Sequence, residues 1–135
     1  MPKVGITGSR TWENKLKIKN IIFLLKNKHT SSLDIISGGL DEGVDLYVKK
    51  FCMEFEIDYQ EAKPNHFGWN HFCIEPAYMY NKPFKANNFY IRNTKLIKES
   101  DVILLFLSKD DTSPVMKDII KQCVKKNKKL LIIEE

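Results

Sequence analysis

Arg10 and Arg92 are the only arginines in the chain, whose other 20 of 22 basic residues are lysine. Arginine carries a planar fork that grips a phosphate or carboxylate through two bonds, and lysine does not. Both arginines stand in marked settings. Arg10 closes Gly8-Ser9-Arg10, a glycine turn that follows the apolar stretch VGIT. Gly8 lets the backbone bend there, and Ser9 supplies a donor for a phosphate. Arg92 precedes Asn93, and the pair is expected to open a helix, with Arg92 reaching a phosphate and Asn93 capping or holding a sugar. A third turn, Ser37-Gly38-Gly39, runs through Asp41, Glu42 and Gly43 to Asp45. Glycines ahead of a helix let an anion approach backbone N–H groups and the positive end of the dipole. Asp45 is suited to a ribose hydroxyl, and Asp41, Glu42 and Asp45 are the candidate catalytic carboxylates. Dipole complement, capping and surface ion pairing are the plain alternatives for the same residues.

Two familiar phosphate signatures are absent. The glycine spacing of a dinucleotide fingerprint is missing, and no Gly-Lys-Ser/Thr follows the turn as in a Walker A loop. His66, His71 and Cys73 match no familiar ligand set for zinc, so no metal and no cofactor is expected. A Cys–His nucleophile pair among them has as little support.

The elements that must position these residues alternate. VGIT is a short strand, and a helix beginning at Thr11 or Glu13 carries Leu16, Ile18, Ile21, Ile22, Leu24 and Leu25. That helix is expected to end by Thr30, with Ser31 and Ser32 looping into a strand at 33–37. The next helix buries Val44, Tyr47, Val48, Phe51, Cys52 and Phe55 at the spacing of one face. Residues 57–62 form a third strand. Residues 64–88 hold three prolines and no clean period; their aromatics Trp69, Phe72, Tyr78, Tyr80 and Phe84 either cover a base or cover the sheet edge. A helix over 89–99 follows, with Ile91, Leu96 and Ile97 inward. DVILLFL, residues 101–107, reads as a parallel strand buried on both faces. Thr112 or Ser113 caps a last helix with Pro114 in its first turn. Its stripe is Val115, Met116, Ile119, Ile120, Cys123 and Val124, and a strand over 129–133 ends the series.

Such alternation implies an α/β fold: a doubly wound parallel sheet of about five strands with helices on both faces. Ligands then sit beyond the carboxyl ends of the strands, where strand order reverses. GSR, SGG and SKDDT all follow strands and meet at that edge.

Length fits one domain spanning 1–135. No apolar run reaches the ~18–20 residues of a membrane span, and no signal-peptide pattern opens the chain, so a cytoplasmic location is expected. Three cysteines argue against a disulfide framework. The net charge of +5 suits an anionic partner. The lysines are spread over most helices, so solvated helix faces explain them better than a nucleic-acid stripe does.

Taken in order, GITGSRTW, ISGGLDEGVDLYVKKF, YIRNTKLIKESDVILLFL and DDTSP resemble the SLOG superfamily, in particular its small bacterial and phage branch. The DNA-processing protein A and the lonely-guy phosphoribohydrolases are more distant relatives. The resemblance covers nearly all of the chain outside 64–88. It implies a Rossmann-like fold and a nucleotide or nucleotide-derived ligand, held by Gly8, Ser9, Arg10, Ser37, Gly38, Gly39, Gly43, Asp45, Arg92, Asn93 and Thr112. It also implies that homo-oligomers are common. The hydrolytic members carry PGG-x-GT-x-x-E after the fourth strand, with a catalytic Glu. Here that place reads SKDDTSPVMKD, with the glycines gone and Asp118 too far along to be that Glu.

The expected function is therefore a nucleotide-binding module, a sensor or sequestering protein, with phosphate on the SGG turn and the two arginines. An N-glycosidic hydrolase or transferase is the alternative, and single-stranded DNA binding is third. Arg10→Lys and Arg92→Lys are each expected to weaken binding and leave the fold intact.

Overall fold

The computed structural model describes residues 2–29 and 32–135. The expected helix end at Thr30 and the loop residue Ser31 lie outside the described residues. Five strands and four helices alternate: β1 (Lys3–Gly8), α1 (Lys15–His29), β2 (Asp34–Ser37), α2 (Gly43–Glu54), β3 (Asp58–Glu61), α3 (Asn87–Glu99), β4 (Val102–Leu107), α4 (Pro114–Lys125) and β5 (Lys129–Glu134). The strands form one parallel sheet in the order β3-β2-β1-β4-β5. This is the expected α/β, Rossmann-like architecture.

The sheet is apolar on both faces. Ile6, Ile35, Leu104 and Phe106 pack under α1 and α2, while Ile36, Ile103 and Leu105 pack under α3 and α4. Buried β-branched and aromatic side chains on both sides are what a central parallel strand requires. Cys52 and Cys123 are small members of these two cores. Ser113 caps α4, its hydroxyl accepting from the Val115 N–H at 3.2 Å, with Pro114 at the first helical position.

Three expectations are corrected. α1 starts at Lys15, because Trp12 is pulled into the core against Phe106 with ring centroids 5.3 Å apart. Only Ile18 and Ile22 of α1 are fully buried, whereas Leu16 and Leu24 are 61% and 64% exposed. Ile91 points outward as well, and so does Val124. Most important, α3 begins at Asn87, so Arg92 and Asn93 lie in its second turn and do not open it.

Residues 64–86 are irregular, with one 3-10 turn at Ala77–Met79. Part of the segment covers the outer edge of β3. The Glu61 N–H donates to Phe72 O at 2.8 Å, and the Ile74 N–H returns to Glu61 O at 3.0 Å. Phe72 meets Tyr59 edge-on there.

Candidate functional site

The organising contact is a buried ion pair. Asp45, in the first turn of α2, faces Arg92 of α3 with Oδ2 and Nη1 3.7 Å apart, and each side chain is only 1% exposed. Asp45 Oδ1 accepts from Thr7 Oγ1 at 2.7 Å and from Ser37 Oγ at 3.0 Å. Its Oδ2 takes a longer contact of 3.4 Å from the Leu40 N–H. Arg92 Nη1 donates to Gly38 O at 3.0 Å, and its Nε donates to Asn93 Oδ1 at 3.0 Å. Asn93 Nδ2 then donates to Val115 O and to Asp118. One network thus joins the ends of β1 and β2 to α2, α3 and α4. Burial pushes the Asp45 carboxyl up and the Arg92 guanidinium down, and each partner's charge restrains the other's shift.

The glycines of this region make room for protein. A Cβ on Gly38 would strike the Arg92 and Asp45 side-chain ends, and one on Gly39 (φ +72) would strike the stem of Lys63. Gly43, at φ +66, lies against the backbone of Ser9 and Arg10. Ser37, Gly38, Gly39, Gly43 and Asp45 are all buried.

A cleft of about 1200 Å³ opens beside this network. Its walls are the β1–α1 loop and the β4–α4 loop. Strand order reverses between β1 and β4, so this is the crevice that a doubly wound sheet offers a ligand. Of the residues singled out from the sequence, Gly8, Arg10, Arg92 and Thr112 line it. Ser37, Gly38, Gly39, Gly43, Asp45 and Asn93 do not line it, nor do the candidate carboxylates Asp41 and Glu42. Asp41 and Glu42 are exposed, and Glu42 stands 4.0 Å from Arg10. Ser9 lies beneath the cleft. Its hydroxyl donates to Asp111 and accepts from the Ser108 N–H at 2.9 Å, which ties the two loops together at their base.

Leu40, Trp12, Lys109 and Asp111 also line the cleft and were not singled out from the sequence. The SKDDTSP turn was legible as a whole, but nothing in its composition ranks one side chain above another. Asp111 is held by Ser9 and by the Ser113 N–H at 2.8 Å, and Glu135 at the rim is held by Asn14 and Lys17. Arg10 remains half exposed, its guanidinium 5.1 Å from the Phe89 ring centroid.

Next to Arg10, His66 packs among Phe67, Phe84 and Phe89, with centroids 4.8, 4.8 and 5.2 Å away. Phe84 is otherwise 69% exposed. Cys73 is bridged to Glu61 at the far sheet edge. Among the described residues no cluster of three His, Cys, Asp or Glu is placed to hold a metal ion.

Asn88 Nδ2 lies 3.1 Å from His66 Nδ1, an arrangement that suits a neutral ring protonated on Nε2. Burial first, and the Arg10 charge second, hold the His66 imidazole below its ordinary value. The unfolded chain therefore takes up this proton first. His66's contribution to stability is lost as pH falls through the ordinary histidine value of about 6.5 towards the depressed one. An NMR titration should place His66 below the ordinary histidine value, and Arg10→Gln should move its midpoint upward. An unmoved midpoint would remove Arg10 as a cause.

No protein-family model and no curated protein sequence matches this chain. Solved structures do match. The fold is similar to that of the Moco carrier protein of Chlamydomonas reinhardtii. One structure of that protein superposes with a TM-score of 0.63 at 19% identity, over 99% of this chain and 77% of the other. A second, described as the molybdenum cofactor carrier protein, gives 0.64 at 18%, over 100% and 79%. Identity at that level speaks for the shared fold alone. No helix among the described residues is long and apolar enough to cross a membrane.

Proposed function

We propose that the chain is a binding module for a small anionic ligand of the nucleotide type, held in the cleft between the β1–α1 and β4–α4 loops. One convergence carries the reading. The exposed Arg10 and Lys109 and the N-terminus of α4, marked by Thr112, Ser113 and Val115, face the same space. Arg10, Lys109 and the positive end of a helix dipole favour an anion on that wall, although Asp111 already accepts from the Ser113 N–H there and Glu13, Asp110 and Glu135 line the rest of the cleft. Trp12, Leu40 and Met116 add apolar wall for the uncharged part of such a ligand. The resemblance to the SLOG superfamily, whose ligands are nucleotides or derived from them, points the same way. The structural neighbour is named as a carrier of a cofactor, which agrees with holding rather than cleaving.

The placement of Asp41, Glu42 and Asp45 takes from the cleft the carboxylates that N-glycosidic cleavage was expected to use, which favours binding. Asp45 is sealed in an ion pair, while Asp41 and Glu42 lie outside the cleft. Ligand contact falls to Gly8, Arg10 and Thr112 on the walls, with Arg92 beneath. Gly38, Gly39, Ser37, Gly43, Asp45 and Asn93 shape that floor from below.

The test combines thermal melting with a nucleotide panel, inorganic phosphate and the molybdenum cofactor, followed by chromatography of the recovered ligand. A stabilising ligand recovered intact is the expected result. Release of free base would overturn the reading in favour of hydrolysis. A salt-steep shift with single-stranded oligonucleotides would favour the third possibility.

Arg10→Lys should keep the melting temperature of the free protein, because Arg10 is exposed and its one ion pair is long. It should weaken the ligand roughly 10- to 150-fold by removing a bidentate grip worth about 1.5–3 kcal/mol. Isothermal titration checks both the affinity and the stoichiometry. Unchanged affinity would take Arg10 out of the site.

A further inference from the structure

The two edges of the sheet are treated differently. The outer edge of β3 is covered by residues 72–74. Among the described residues nothing covers the outer edge of β5, whose strand partner is β4 alone. The direction of its free groups follows from the backbone. The Glu135 N–H donates to Leu107 O, and Glu135 O accepts from the Lys109 N–H, so Glu135 faces β4. Strand residues alternate, so Leu131 and Ile133 face β4 in the same way. Leu130, Ile132 and Glu134 then present their N–H and C=O groups to the open side. The strand is six residues long and apolar at its centre, with Leu131 55% and Ile132 37% exposed. A long apolar edge is a template for another strand, and folded proteins normally blunt one.

We propose that a second copy of this chain covers this edge, by antiparallel pairing of β5 with β5 about a two-fold axis through Ile132. The sequence of the strand selects its own copy as occupant. A two-fold axis normal to the sheet keeps each face on its own side, so paired positions must share parity. With Ile132 opposite the partner's Ile132, Leu131 falls opposite Ile133 and Lys129 falls opposite Glu135. Leu131, Ile132 and Ile133 thus meet their counterparts at the centre, Leu130 falls opposite Glu134, and Lys129 meets Glu135, whose carboxylate also holds Asn14 and Lys17, at both ends. The outward-facing Leu130, Ile132 and Glu134 are the residues that exchange hydrogen bonds in this register. The two five-stranded sheets become one of ten strands. Each cleft lies beyond the carboxyl ends of its own strands, so the antiparallel pair carries its two clefts at opposite ends.

The experiment measures mass in solution for the unmodified chain and for two variants. The unmodified protein should run at twice its 15.8 kDa. Directly opposite hydrogen-bonded residues have Cα atoms about 5.5 Å apart, within the range a disulfide spans. Ile132→Cys should therefore form a dimer through a disulfide under mild oxidant, far faster than the unmodified chain or a Val124→Cys control. Ile132→Pro should keep its melting transition, because the N–H it removes is not used by β4 and proline is tolerated on an open edge. It should run as a monomer. Leu131→Pro, which removes an N–H facing β4, should instead lower the melting temperature. A monomeric mass at every concentration, with Ile132→Cys crosslinking no faster than Val124→Cys, would overturn the proposal. A dimer that survives Ile132→Pro and crosslinks no faster at position 132 would place the contact elsewhere and overturn it equally.

Discussion

Arg92→Ala will cost this protein a large share of its stability. Arg92 is among the largest fully buried side chains, and among the described residues its charge is balanced by Asp45. Truncation deletes the side chain and strands the Asp45 carboxylate in the interior, with Thr7 and Ser37 still donating to it. Removing one partner of a buried pair costs roughly 3–5 kcal/mol. Whole domains hold only about 5–15 kcal/mol. For a chain of this length each kcal/mol moves the melting point by about 4 °C, so a fall of some 12–20 °C is expected by calorimetry. The sequence-based expectation that Arg92→Lys spares the fold is revised accordingly. Lysine keeps a charge, but its single ammonium cannot meet Asn93, as the arginine Nε–H does, while also serving Gly38 and Asp45, as Nη1 does. Replacing both partners with uncharged groups of similar shape, Asp45→Asn with Arg92→Met, should recover a large part of the loss. If Arg92→Ala melts within a few degrees of the unmodified protein, the pair does not organise the fold.

Gly43→Ala is expected to be nearly as severe, for a different reason. The residue stands at φ +66, where a side chain is strained by about 1–3 kcal/mol. Its new Cβ would press on the carbonyl of Ser9 and the backbone of Arg10, which cannot swing aside as a side-chain tip can. The Ser9 carbonyl accepts from both the Val44 and Trp12 N–H groups, so moving it disturbs two bonds. Overpacking adds roughly 1–3 kcal/mol, for a total of about 2–6 kcal/mol. The loop displaced carries Arg10, so the variant should also lose ligand affinity in whatever fraction stays folded. Chemical denaturation measures the first effect, and titration below the melting point measures the second. A variant that denatures like the unmodified chain would mean the loop and helix are free to separate.

The alternation of strands and helices was legible because each element is strongly patterned. DVILLFL reads as a strand buried on both faces, and Thr112 or Ser113 ahead of Pro114 marks a helix start, as β4 and α4 bear out. The start of α3 was not legible. KANN at 85–88 carries no capping box, and Ala86 precedes the helix in helical conformation without any side-chain cap. Arg92 therefore read as a residue near the helix start and so as a ligand group, whereas a start two residues earlier puts it in the second turn, facing inward. The glycines misled in a related way. A turn rich in glycine admits any close neighbour, and sequence does not say whether that neighbour is a phosphate or an arginine. Gly38 admits Arg92 and Gly43 admits Ser9. The exposed Leu16 and Leu24 were misread because helical spacing marks a face without saying that the face is covered.

The seal beneath the cleft bears on how fast a ligand would be captured. Ser9 is pinned from three sides: its N–H on Phe106 O, its carbonyl on Val44, and its hydroxyl between Asp111 and Ser108. The two loops that form the walls are thus already in register before anything arrives. Little chain entropy is left to lose on binding, and no hinge has to close. Association governed by diffusion and charge, rather than by a slow rearrangement, is the kinetic signature of a receptacle assembled in advance.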